Sequence, residues 1–91
     1  YLVPGMGHSR GGPATDQFDF VDALIDWVER GVAPEAVLAR ARGKGGATWP
    51  VNDDVPAGWS SDRTRPLCPY PTFARYRGAG DMERAQNFAC R

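Results

Sequence analysis

From Phe18 onward, apolar residues recur at helical spacing. Phe18, Val21, Leu24, Ile25 and Val28 fall on one face, with Asp19, Asp22, Asp26 and Glu29 on the other. The pattern predicts one helix, with Thr15 or Asp16 as its N-cap and Gly31 as the residue that stops it. Its acidic edge reads as a solvated face. The next apolar stretch, residues 36–42, suits a helix by propensity. Gly31, Pro34 and Gly43 leave little length for one, so a strand is predicted there. Prolines keep Arg65–Pro71 extended, and residues 73–77 alternate as a short strand does. Gly78-Ala79-Gly80 turns the chain, Asp81 is placed to cap one turn through residues 82–85, and Asn87-Phe88-Ala89-Cys90 closes it.

Between these elements lie two stretches without periodicity. Residues 1–13 wrap glycines and prolines around a single histidine and must form a loop. Residues 43–62 form a polar loop of unusual length that carries Trp49 and Trp59. The simpler reading is a surface excursion whose indoles pack back onto the body. The functional alternative is an aromatic platform at the mouth of a pocket. No internal repeat, second domain or low-complexity tract is present.

A length of 91 residues bounds the chain to one small domain. Its 42% hydrophobic content is enough for a core, while 11 glycines and 8 prolines predict long irregular connections. Eleven basic residues balance eleven acidic ones, so there is no electrostatic footprint for nucleic acid or an anionic membrane. No apolar run is long enough to span a bilayer, and no signal peptide is visible. The opening Tyr1-Leu2-Val3-Pro4 reads like the end of a buried strand entering a loop, as in a segment cut from a longer protein. Cys68 and Cys90 are compatible with one disulfide in an oxidising compartment, or with two buried thiols. With one histidine and no CxxC, neither a protein-only zinc site nor a cofactor is expected.

His8 is the one side chain whose ordinary pKa lies near neutrality, and small residues flank it on both sides. Such a loop lets the backbone turn sharply and lets other groups approach the imidazole, which is what a general base needs. The plainer reading is an exposed loop histidine. Ser9, Ser60 and Ser61 are not in a nucleophile-elbow context and read as turn residues. A single Arg10-Gly11-Gly12 at zero net charge is poor evidence for RNA binding. Asn52, Asp53 and Asp54 lack the spacing of a calcium loop and read as a surface turn.

Residues Tyr1-Leu2-Val3-Pro4-Gly5-Met6-Gly7-His8 with Gly11-Gly12 resemble the histidine loop of the tannase and feruloyl esterase family. Three further stretches follow in the family's order. Asp26–Gly31 with Ala33-Pro34-Glu35 resembles its post-histidine helix and exit, and Arg65–Pro71 and Asn87–Cys90 resemble its closing segment. The resemblance covers nearly the whole chain except residues 43–63, which look like a variable loop. It implies that His8 is the catalytic base of a serine esterase, with the serine elbow and the orienting aspartate upstream. It also implies that Cys68 and Cys90 form the family's C-terminal disulfide. One departure stands out: the family usually has a cysteine directly after the histidine, bonded to one before the serine, and this chain has Ser9.

The expectation is therefore the C-terminal part of an α/β-hydrolase fold, residues 1–91 as a single segment of a larger esterase domain. It should show one main helix, a few short strands and much irregular loop. The implied activity is hydrolysis of aromatic carboxylic esters in a secreted or periplasmic enzyme. Its partners would be the ester substrate and the remainder of the parent chain, with self-association of the detached segment. The alternative is a small secreted binding module stapled by Cys68 and Cys90, without catalysis.

Overall fold

Alternation within residues 36–42 decides the centre of the fold. In a strand, successive side chains point to opposite faces, and Val37 and Ala39 are buried while Leu38 and Arg40 are exposed. The computed structural model, which describes all 91 residues, places this strand in the middle of a three-stranded sheet. In chain order the elements are β1 (Gln17–Phe18), α1 (Val21–Arg30), β2 (Val37–Arg40), β3 (Thr64–Leu67) and β4 (Ala74–Tyr76). A single 3-10 turn (Ala85–Asn87) then leads into β5 (Phe88–Cys90).

The larger sheet has the order β1-β2-β3, and both of its pairings are antiparallel. Val37 faces Leu67 and Arg40 faces Thr64 across the β2–β3 ladder. Pro66 sits in β3, at the sheet's edge, where its missing N–H disrupts no inner ladder. A second antiparallel pair, β4–β5, sets Ala74 opposite Cys90 and Tyr76 opposite Phe88. The predicted extended stretches thus all become strands, and a helix coexists with exclusively antiparallel pairs.

The core is small. Val37, Ala39 and Leu67 form its buried centre, with Tyr1, Val3, Phe20 and Ala23 packed around them. Tyr1 and Phe20 meet edge to face with ring centroids 5.0 Å apart, and the Tyr1 hydroxyl donates to the Pro34 carbonyl. These contacts seat the N-terminal segment beneath the start of α1. The helix stops as its sequence predicts. Gly31 takes φ 70° and donates its N–H to the Trp27 carbonyl, 3.0 Å away, a left-handed close that suits a residue without Cβ.

The N-terminus of α1 corrects the sequence reading. Neither Thr15 nor Asp16 caps it; Phe20 occupies the cap position without a side-chain bond, and Asp19 Oδ1 accepts the Val21 N–H at 2.9 Å. Phe18 lies in β1, opposite Ala39, so the helix begins three residues later than the periodicity suggests. The cause is a competing use of Asp16. Its carboxylate receives Arg42 Nε at 2.8 Å and Arg42 Nη2 at 2.5 Å, and both side chains are almost fully buried. A bidentate pair of this kind is directional as well as strong, and it holds the residues before β1 against the end of β2.

Two further ties secure the C-terminal half. Cys68 and Cys90 form a disulfide with Cα atoms 5.5 Å apart, joining the end of β3 to β5. In the chain-entropy account, closing a loop of this size contributes about 3 kcal/mol. Arg63 grips the Glu83 carboxylate through Nε and Nη2 at 2.5 and 2.8 Å, and its guanidinium stacks 3.9 Å from the centre of the Trp59 ring.

The uncovered surface is as informative as the core. No residue of α1 is fully buried, and its apolar stripe faces outward, with Val21 62% and Val28 78% exposed. Leu24, Ile25 and Trp27 are also exposed. A helix normally buries such a stripe against a neighbouring element.

Acid should unravel this arrangement in a defined window. The Arg42 guanidinium holds the Asp16 carboxyl below the usual carboxylate range, against the opposing effect of burial, and Arg63 does the same for Glu83. Depressed folded-state values contribute stability that is complete above the ordinary range near pH ~4 and is lost as pH falls through the folded values. Stability by denaturant titration should therefore be flat from pH 7 to about 5 and fall steeply below about 4. Asp16→Asn should flatten that fall and cost about 3–5 kcal/mol at neutral pH, because Arg42 is left buried without its counter-charge.

Candidate active site

Glycines dictate how His8 is carried. The N–H of Gly7 donates to the carbonyl of Gly11 at 3.0 Å, closing a ring with His8, Ser9 and Arg10 at its tip. His8 is exposed on that tip. Ser9 adopts φ 69°, the one non-glycine residue of the chain in the left-handed region. Such conformations cost an ordinary residue roughly 1–2 kcal/mol and persist where the surroundings enforce them.

The enforcement comes from the base of the ring. Gly11 donates its N–H to Asp16 Oδ2 at 2.7 Å, so the Arg42-bound carboxylate also holds the loop. Gly12 donates its N–H to Asp54 Oδ2 at 3.1 Å and accepts Asn52 Nδ2 at 2.9 Å. Its φ is 76°, and a Cβ there would collide with the carbonyl oxygen of Gly5. Asn52 is itself fixed: it is buried, its N–H donates to the Arg42 carbonyl at 2.7 Å, and its Oδ1 accepts the Asp54 N–H at 3.0 Å. Arg42 completes the circuit by donating Nη1 to the Pro50 carbonyl at 2.7 Å. Asn52 and Asp54, read from sequence as a surface turn, do form a turn, but they grip the histidine loop.

The pentapeptide Gly7-His8-Ser9-Arg10-Gly11 also spells Gly-x-Ser-x-Gly. A nucleophile elbow sits between a strand and a helix. Here no strand precedes Gly7, and β1 intervenes before α1 begins at Val21. Ser9 is therefore a turn residue, as are Ser60 and Ser61.

A cleft of about 350 Å³ lies behind the loop's stem. Leu2, Pro4, Trp59, Arg65, Leu67 and Phe73 are among its walls, and His8 is not. Burial, with Arg63 close by, lowers the Arg65 pKa, and its guanidinium lies 4.0 Å from the Phe88 ring centre. Of the two loop tryptophans, Trp59 packs back under Arg63 and lines this cleft, whereas Trp49 stands 83% exposed. No three His, Cys, Asp or Glu side chains gather as metal ligands.

Replacing Gly12 tests whether the loop is as constrained as its geometry indicates. Gly12→Ala meets both a left-handed φ and the Gly5 carbonyl, while Gly45→Ala meets a comparable φ, 85°, in open space. Gly45→Ala should cost about 1 kcal/mol and Gly12→Ala clearly more, read by urea unfolding.

Comparison with known proteins identifies the family. The family model described as tannase and feruloyl esterase matches residues 1–91. The chain is 47% identical over 91 residues to a mono(2-hydroxyethyl) terephthalate hydrolase of Piscinibacter sakaiensis. It is 40% identical over 105 residues to an uncharacterized esterase of Xanthomonas campestris, and 35% identical over 92 residues to a protein of Arthroderma benhamiae named "Probable feruloyl esterase". Each match covers 99% of this chain but only 13%, 16% and 15% of the respective relative. With the family model spanning its whole length, the chain belongs to the tannase and feruloyl esterase family.

Proposed function

We propose that this segment supplies the general base of a serine esterase that hydrolyses esters of aromatic carboxylic acids. The observation that carries the reading is the placement of His8. It is the chain's one imidazole, at the tip of a glycine ring whose base is tied by Asp16, Asn52 and Asp54. A base must keep its orientation while remaining open to substrate, and an exposed tip on a tied base meets both demands. The names of the relatives, a terephthalate ester hydrolase and a feruloyl esterase, favour an aromatic acyl group.

In this reading the serine nucleophile and the aspartate that orients the imidazole belong to the remainder of an α/β-hydrolase domain. His8 takes the serine proton as the hydroxyl attacks the ester carbonyl and passes it to the departing alcohol. In the second half-reaction it activates the water that releases the acid. The outward stripe of α1, from Val21 to Val28, is the surface that packs on that remainder. The Cys68–Cys90 disulfide favours a secreted or periplasmic enzyme.

Two measurements test this. His8→Ala in the full-length enzyme should lower kcat/KM for a feruloyl or terephthaloyl ester by several orders of magnitude. A loss below about tenfold would remove His8 from the role of base. The 91-residue segment expressed alone should be inactive and should self-associate in sedimentation through its uncovered apolar surface. A monomer at all concentrations would count against docking through α1.

A further inference from the structure

We propose that Asn52, supported by Asp54, is a positioning residue for His8, so that the 43–63 loop is part of the catalytic apparatus. The inference rests on the reading of His8 as the base and extends it to a segment that looks like a dispensable surface excursion.

Four observations converge on it. First, both sides of the Gly12 backbone are held from this loop, the N–H by Asp54 and the carbonyl by Asn52. Second, Gly12 adjoins Gly11, whose carbonyl closes the ring that carries His8, so a shift at Gly12 passes to the imidazole within a few bonds. Third, Asn52 is buried and its amide is used on both ends: Nδ2 serves Gly12, while Oδ1 fixes the turn that aims Asp54. Burying an amide for a surface turn alone would be costly, and a fully paired one specifies geometry. Fourth, Ser9 holds a left-handed φ beside His8 with no covalent tether, so the restraint on the tip must be non-covalent.

Hydrogen bonds can serve because the demand is small. Holding a base within a few tenths of an ångström needs a stiff peptide frame more than a large binding energy, and misplacement by about 1 Å can cost on the order of a hundredfold in rate. Asp16 alone fixes only the Gly11 N–H. Without Asn52 and Asp54 the Gly12 backbone would lose both of its ties to the long loop, leaving the Gly7 N–H on the Gly11 carbonyl to hold the ring closed, and the ring would loosen.

The test uses the full-length enzyme with an aromatic ester. Asn52→Asp keeps the Oδ1 that holds Asp54 and removes the donor to Gly12; kcat should fall roughly 10- to 100-fold with KM within about twofold. Asp54→Ala alters an exposed side chain and should lower kcat by several-fold, while Asp54→Asn, which keeps an acceptor, should restore it. Asp53→Asn, at the neighbouring exposed carboxylate, should change nothing. In the His8→Ala background, Asp54→Ala should have no further effect, because it acts through a side chain already removed. Unchanged kcat in both Asn52→Asp and Asp54→Ala, with His8→Ala inactive, would overturn the positioning role while leaving the base intact. An undiminished Asp54→Ala loss in the His8→Ala background would overturn it too. An active His8→Ala would remove both ideas together.

Discussion

A buried ion pair organises this segment. Asp16 and Arg42 are 26 residues apart in sequence, almost fully removed from solvent, and joined by two parallel hydrogen bonds. Buried pairs of this kind often add little net stability, because desolvation offsets much of the attraction. Their value is directional. The remaining capacity of Asp16 is spent on the Gly11 N–H, and that of Arg42 on the Pro50 carbonyl. One pair therefore fixes the sheet's edge strand, the histidine loop and the long loop that begins after Arg42. Removing either partner would leave an unpaired charge inside and release all three.

This arrangement explains how so slight a core positions the histidine loop. Three buried apolar residues form its centre, far too few to discipline a glycine-rich segment by packing alone. The order at Gly11 and Gly12 comes instead from carboxylates and one amide, whose hydrogen bonds have preferred directions. The disulfide and the Arg63–Glu83 pair perform the same service at the other end, tying β5 and the preceding turn to β3 and its approach. Apolar burial is incomplete in turn, for the stripe of α1 has no cover. Polar ties set the internal geometry, while the apolar stripe of α1 stays uncovered.

Much of this was legible in the sequence wherever the signal was local. Gly31 announces the helix end, the short span between Pro34 and Gly43 the central strand, and residues 73–77 the hairpin arm. Asp16 was misread because an Asp ahead of a helix carries the same local signature whether it caps or pairs at long range. The bond from Asp16 to Arg42 has no sequence signature at all. Asn52 and Asp54 were likewise read as a surface turn, which describes their backbone and misses their side chains. The unusual length of the 43–62 loop was the available clue, since loops that long in small domains tend to be functional. The outward stripe on α1 was legible as a face but not as an uncovered one, because periodicity reveals a stripe and not its partner.

The central claim is that a polar frame presents His8 to a serine supplied from elsewhere in the protein. The most direct measurement is a crystal structure of the full-length enzyme with a phosphonate covalently bound at its nucleophilic serine. The account predicts His8 Nε2 within about 2.6–3.2 Å of the serine Oγ or the leaving-group oxygen. It also predicts that Asp16, Asn52 and Asp54 still bond to Gly11 and Gly12. An imidazole turned away from the modified serine, or a different histidine in that place, would contradict it.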